Sequence, residues 1–481
     1  MSPQAHSDLE TPLVIHSREL EDTSDEAAAP PSPQASEGPA QHRAAVFPEL
    51  TRAPSAPGEC STSAGVANLI TTAVGAGMLA LPCAVAKTGI LLGGALFLLV
   101  AALTFASCTI IVGYAHRWRV GSYGDLVGLH FGRLGSSILQ GAIVAHVFGV
   151  MIGYNVIIAD VLVGSAPCHC GVLPTVLGRH DDPWWLSRPA VLAVLMLTVI
   201  VPTLLPRSLH AVAKFSSLSV CMLLVLASSI AGLALVSLAR GQIAPDVHVL
   251  PTGKHLGKTP FEAANTLLSV VAVAALAFTC QFNLLPIKHS LKDSCQGGMM
   301  RVLAFGLASC AVLYATVAVS GYALFGSAVD GDVLKNLTSK FVARLLGHSL
   351  AHTLVYGVAL SYTLCLLANF VLKVWAVREA VVEGALGRPS SDLPPLPFYT
   401  VTYALVALAY LISVLVPSIY GLLALVGSTA TVVFSYLFPA LVVLKSAPTL
   451  AQRGGAGALI GLGGLMAATA IYNHLAGHSL E

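Results

Sequence analysis

Ten predominantly apolar stretches of this chain, each of 18 residues or more, contain no Asp, Glu, Lys or Arg: 60–86, 89–115, 134–159, 189–206, 215–239, 263–287, 302–329, 345–372, 393–444 and 454–480. A helix needs about 20 apolar residues, rising about 1.5 Å each, to cross the hydrocarbon core of a bilayer. The ninth stretch is 52 residues long, and Pro417-Ser418 near its middle suits a tight turn between two spans. The sequence therefore predicts about 11 transmembrane helices. The shortest stretch, 189–206, contains Pro202 and Pro206. A β-barrel does not fit, because barrel strands alternate apolar and polar residues and these runs are continuous. Helices pair every backbone polar group within the segment, which lipid demands. The expected fold class is an all-α polytopic membrane protein.

Charge excludes a water-exposed exterior. Only 10% of the 481 residues are charged, against about 25% in soluble domains. The first 60 residues hold ten of the 23 acidic residues, three of the 25 basic ones and nine prolines, so a tail of −7 precedes a body of +9. Residues 1–59 show no hydrophobic period and are expected to form a disordered, acidic, Pro-rich cytoplasmic tail that binds regulatory proteins. Residues 60–476 are expected to form the membrane domain. Its basic residues lie singly or in pairs, which is no nucleic-acid footprint. The expected partners are membrane lipid and a small solute.

With the N-terminus inside, the inner segments carry sixteen Lys and Arg and the outer ones nine, the bias of the positive-inside rule. The same orientation puts Asn336-Leu337-Thr338, a glycosylation acceptor, outside. Ten cysteines in 481 residues make no disulfide framework. Cys168-His169-Cys170 is one ligand short of a closed zinc site, so no metal centre is expected. No nucleophile triad, phosphate-binding loop or dinucleotide fingerprint appears. Neither an enzyme nor an organic cofactor is expected.

Two spans carry interruptions that an anchor would not need. In the first, Gly75 and Gly77 sit mid-span with Pro82 shortly after. Glycine tolerates close approach and unusual dihedrals, and proline removes a helical donor. An unwound point there exposes free N–H groups at a positive helix end, a site for a carboxylate. In the sixth, Gln281 and Asn283 are costly in lipid and need partners, and Pro286 follows. An unwound Thr279–Asn283 stretch offers carbonyls to an ammonium. Paired interruptions in corresponding spans of two repeats point to a midplane site. Together they describe a receptor for a zwitterion.

The run Asn68-Leu69-Ile70, Gly75-Ala76-Gly77-Met78-Leu79-Ala80-Leu81-Pro82 resembles the first-helix signature of the amino acid/auxin permease family. Phe278-Thr279-Cys280 with Leu285-Pro286-Ile287, Tyr154 to Asp160, and Gly321 to Gly326 are similar to further family motifs, over about residues 60–475. The resemblance implies a five-plus-five inverted repeat with discontinuous helices 1 and 6, plus an eleventh helix, moving L-amino acids with H⁺ or Na⁺. It implies a carboxylate site around Thr71, Val74, Gly75, Ala76, Gly77 and Met78, and an amine site around Phe278, Thr279 and Gln281. Two positions depart from the pattern: Gln281 stands where members often have His, and Thr363 where they often have Pro.

Candidates for coupling or gating are Asn68, Asp160, His352, Ser361 and Thr363. Asp160 suits a loop anchor, a gate partner for a basic residue, or a receptor for a cationic substrate side chain. His348, His352 and Tyr356 recur every four residues on one helical face, which suits a wet or proton-sensing stripe. By resemblance, Ser361 and Thr363 add hydroxyls to carbonyls of the first break, as in a Na⁺ site. The expected function is secondary transport of L-amino acids, neutral or cationic. An amino-acid-sensing receptor on the same fold is the alternative. The expected location is the cell surface, with a vacuolar or lysosomal membrane as the other reading.

Overall fold

The computed structural model describes residues 60–164, 171–178, 183–206, 209–251, 253–292, 296–386, 390–416, 419–446 and 449–475. The readings made for residues 1–59, for Cys168-His169-Cys170 and for the Pro417-Ser418 turn fall outside these residues.

The described chain is all helix, with one isolated bridge between Cys60 and Leu291. The first expected span is two helices, α1 (Thr62–Ala73) and α2 (Gly77–Thr88). Three helices follow: α3 (Ile90–Trp118), α4 (Tyr123–Leu162) and α5 (Arg188–Leu195), the last continuing through a π turn at Met196–Ile200. Then comes α6 (Leu209–Ala239), and the sixth span is again two pieces, α7 (Pro260–Ala277) and α8 (Leu284–Ser290). The long helices α9 (Gln296–Phe325), α10 (His348–Leu386) and α11 (Pro395–Leu415) come next. Two helices, α12 (Ile419–Val426) and α13 (Phe438–Ser446), are joined by π turns over Gly427–Thr431 and Val433–Leu437, and α14 (Leu450–Leu475) closes the chain.

Among the described residues, nine helices are long and apolar enough to cross a membrane, or ten with α1 and α2 taken as one bent span. The stretch Arg188–Thr203 is apolar but shorter. Sixteen helical residues rise about 24 Å, less than the hydrocarbon thickness of about 30 Å. The expected 11 crossings are met only if this short segment counts as one.

Local chemistry sets the ends. The Ser61 hydroxyl accepts from the Ala64 N–H at 3.3 Å and caps α1, and Thr259 and Glu262 form a capping box at the start of α7. Gly132, at φ 68, bends α4 in a conformation that side chains resist. Pro286 lies in the first turn of α8, where a missing N–H costs no helical bond.

The two interrupted spans sit inside the bundle. The most apolar window of α7–α8 is 78% buried, whereas that of α14 is 22% buried. Helix α9 packs against α1 and α2, α10 against α4 and α6, and α7 against α2 and α12. Leu98, Leu134, Leu411 and Leu465 stay exposed on outward faces, as contact with lipid requires. The N–H of Cys60 donates to Ser290 O and the N–H of Lys292 to Cys60 O, both at 2.9 Å. These bonds pin the start of the first span to the end of the sixth.

Candidate functional site

Helix α1 stops because Val74 turns extended, with φ −82 and ψ 119, and α2 sets off at 64° to it. The Val74 N–H still reaches Ile70 O at 2.7 Å. The N–H groups of Gly75, Ala76 and Gly77 find no hydrogen-bond acceptor among the described residues. They stand at the positive end of α2, where an anion is stabilised. The bare faces of the two glycines serve packing. A Cβ on Gly75 would lie 2.5 Å from the Tyr154 hydroxyl oxygen, and one on Gly77 would lie 3.0 Å from Ala277 Cα. The glycines thus let α4 and the end of α7 close on the break. Pro82 does not end α2, which continues through it and packs it against Gly321 of α9.

The second break opens differently. Phe278, with ψ 4, and Cys280, with φ −141 and ψ −2, leave helical geometry, and a 3₁₀ turn at Gln281–Asn283 leads into α8. The unwound stretch therefore begins one residue before the expected Thr279 and ends at Cys280. The carbonyls of Phe278 and Thr279 accept no hydrogen bond among the described residues. Three side chains hold the opening. Tyr314 of α9 donates to Ala277 O at 2.6 Å and packs edge-on to Phe278. The Thr279 hydroxyl donates to Ala275 O at 2.7 Å, and Gln281 Oε1 accepts from the Cys280 N–H at 3.0 Å. Gln281 Nε2 is buried without a hydrogen-bond partner.

The breaks face one another. Gly77 abuts Ala277 and Leu276, and Asn283 Nδ2 donates to Thr72 Oγ1 at 2.8 Å. One break leaves donors unsatisfied and the other leaves acceptors, side by side in a buried interior. Val74, Ala76, Gly77, Met78, Phe278, Thr279 and Gln281 are buried, and Thr71 and Gly75 half-buried. The Thr71 hydroxyl turns back to Ala67 O at 2.9 Å. Half-buried Asn68 offers its carbonyl to the Thr72 hydroxyl at 2.7 Å.

The other candidates lie apart. Asp160 is buried and ion-paired with Arg188 and, at 3.2 Å, with Lys335, so both carboxylate oxygens are held by the protein. His348 and His352 are exposed, and the His352 ring packs on Tyr356 at 5.7 Å. Asn336 is held in its turn: its amide oxygen accepts from the Asp330 N–H at 2.8 Å and its nitrogen donates to Ala328 O at 2.9 Å. In this conformation the Ser361 and Thr363 hydroxyl protons are not directed to the first break. Their hydroxyls donate to Val358 O and Ala359 O, at 2.8 and 2.9 Å, because a short hydroxyl is satisfied by the preceding turn of its own helix. The longer Tyr362 between them reaches Gly75 O at 3.2 Å instead.

Sequence reasoning missed Tyr154, Tyr314 and Tyr362 as parts of the site. The available signal was a tyrosine deep in an apolar span, whose hydroxyl must find a partner. Asn155, next to Tyr154 on α4, is a further polar residue in this interior. It is fully buried with neither amide atom hydrogen-bonded, while His146 pairs with Thr431 Oγ1 at 2.8 Å.

A helical bundle whose first and sixth spans break beside each other, leaving free N–H groups on one and free carbonyls on the other, has the architecture of a secondary transporter. Its fold is shared with a mutant manganese transporter of Eremococcus coleocola, at a TM-score of 0.54 and 12% identity over 89% of this chain and 90% of that one. A Na⁺-coupled sialic acid symporter superposes at a TM-score of 0.53 and 11% identity, over 86% of this chain and 88% of its own. Identity this low speaks for the fold alone. The transmembrane amino acid transporter protein family matches residues 58–453, and the chain belongs to that family. The amino acid transporter AVT6A of Arabidopsis thaliana is 31% identical over 395 residues, covering 80% of this chain and 81% of its own. Solute carrier family 38 member 10 of Homo sapiens is 23% identical over 380 residues, covering 79% of this chain and 32% of its own length.

Proposed function

We propose that this chain carries free L-amino acids across a membrane by alternating access, binding the zwitterion between its two breaks. The observation that carries the reading is the opposed backbone polarity: unpaired N–H groups at Gly75–Gly77 and unpaired carbonyls at Phe278 and Thr279. An α-carboxylate matches the first set and an α-ammonium the second. The substrate is a small neutral amino acid, because the buried carboxylate of Asp160 is already held by Arg188 and Lys335. Transport is coupled to H⁺ or Na⁺, and the cell surface is the membrane expected first, ahead of a vacuolar or lysosomal one. The acidic tail is the segment that would engage regulatory proteins.

Uptake of labelled amino acids into proteoliposomes tests this reading. Neutral amino acids should be accumulated under an imposed H⁺ or Na⁺ gradient, and amidation of the substrate carboxylate should abolish competition. Binding without uptake would replace the transporter with a sensor. Equal competition by the amidated compound would remove the first break from the carboxylate site.

A further inference from the structure

The turn at Val333–Asn336 packs against α2 of the first broken span. Val333 packs over Gly321 of α9 beside Pro82 of α2, and Gly331 lies against Tyr420 of α12. Asp332 caps this turn, one carboxylate oxygen accepting from the Leu334 N–H at 3.0 Å. The residue is fully buried, and its other oxygen, Oδ2, has no hydrogen-bond partner. No Lys or Arg lies within ion-pair distance of it among the described residues.

The neighbouring charges do not compensate for this burial. Asp160 from α4 is close enough to act on Asp332 by its charge, but Arg188 and Lys335 are bound to Asp160. Lys335 also lies 3.7 Å from Asp330. From α2, Lys87 sits over the Tyr420 ring at 4.2 Å, and Cys83 senses both Lys87 and Asp330. The buried Tyr420 hydroxyl has no hydrogen-bond partner. From α10, Tyr362 senses the charge of Asp332 and also donates to Gly75 O. Of the three carboxylates here, Asp332 is the most buried, and Lys335 acts on it only by its charge while ion-pairing with Asp160 and Asp330. An ionised, unpaired carboxylate in such a place is costly, and its neutral form is not.

We infer that Asp332 is a proton-binding site, occupied when the 330–336 turn closes over the first broken span and emptied when the turn lifts into water. The inference deepens the transport reading, on which only its consequence for uptake rests. Burial, reinforced by the negative charge of Asp160 and opposed by the Leu334 N–H and the Lys335 charge, raises the Asp332 carboxyl from 3.8 to about 7. Because the closed-state value is raised, closure takes up a proton between those two values. The closed arrangement is favoured fully below 3.8, and that advantage is lost as pH rises through about 7.

The test is thermal unfolding of the purified full-length chain, wild type and Asp332→Asn, at about pH 5 and about pH 8. Wild type should melt higher at the acid pH, and the Asn variant should lose most of that difference by gaining stability at the alkaline pH. An Asn variant that keeps the wild-type difference overturns the inference. Should that variant not fold, infrared difference spectra of wild type between the same pH values serve instead. A protonated-carboxyl band must disappear on alkalinisation, and its absence overturns the inference equally. Neither measurement uses substrate. Failure of amino acid uptake would therefore sink the transport reading alone, and an unchanged pH difference would sink the proton site alone.

Discussion

The two breaks reach the same end by opposite chemistry. In the first, glycines remove side chains, so Tyr154 and the end of α7 close in and the backbone shows its N–H groups. In the second, side chains hold the backbone open: Tyr314, Thr279 and Gln281 bind the groups on either side and leave the Phe278 and Thr279 carbonyls free. A break built from absent side chains fails when bulk is added. A break built from hydrogen bonds fails when a donor is removed.

The largest effect should follow bulk in the first break. Gly77→Leu places atoms where Ala277 Cα already lies 3.0 Å from a Cβ. Overpacking costs about 1–3 kcal/mol, or about fivefold to over a hundredfold in affinity if it falls on the bound state. Surface abundance and thermal stability should be measured beside substrate binding. An abundant, folded Gly77→Leu that binds normally would remove the first break from the site.

Donor removal comes next. Tyr314→Phe leaves the buried Ala277 carbonyl without its 2.6 Å bond, a loss of about 1–3 kcal/mol. Tyr362→Phe removes a longer bond of 3.2 Å to Gly75 O and should cost less. Binding affinities of the two variants decide the order, and a larger loss in Tyr362→Phe would reverse the comparison.

Smaller still is the bond joining the breaks. A double-mutant cycle between Asn283→Ala and Thr72→Ala should show coupling of about 0.5–1.5 kcal/mol in binding. Strict additivity would mean that the breaks act independently. The smallest effect is expected for Ser361→Ala and Thr363→Ala, whose hydroxyls bond within their own helix. Uptake in each should stay close to wild type, since each hydroxyl bonds only to the preceding turn of its own helix. Selective loss of Na⁺ dependence would instead show that these hydroxyls swing to the first break during transport.

Much of this architecture could be read along the chain, because its signals are local. Long charge-free runs report the nine or ten helices long enough to cross among the described residues, and Gly75 with Gly77, or Gln281 with Asn283, marks where a helix is weak. Other features depended on partners far away in sequence. Close approach was legible at Gly77, but not that its bare face meets Ala277, 200 residues on. Pro82 removes a helical donor, yet α2 runs through it, and which helix its ring packs against, that of Gly321, was not legible.

By itself, then, the sequence determined that the chain is a helical membrane protein with two weak points in corresponding spans. Hydropathy and backbone propensity act over single turns and need no partner to be expressed. Only the tertiary structure decided which groups those weak points leave unpaired, and that Tyr154, Tyr314 and Tyr362 converge on them. It alone left Asp332 buried while the cations went to Asp160. Whether a polar atom is satisfied depends on what packs against it from the rest of the chain, and no local pattern carries that information.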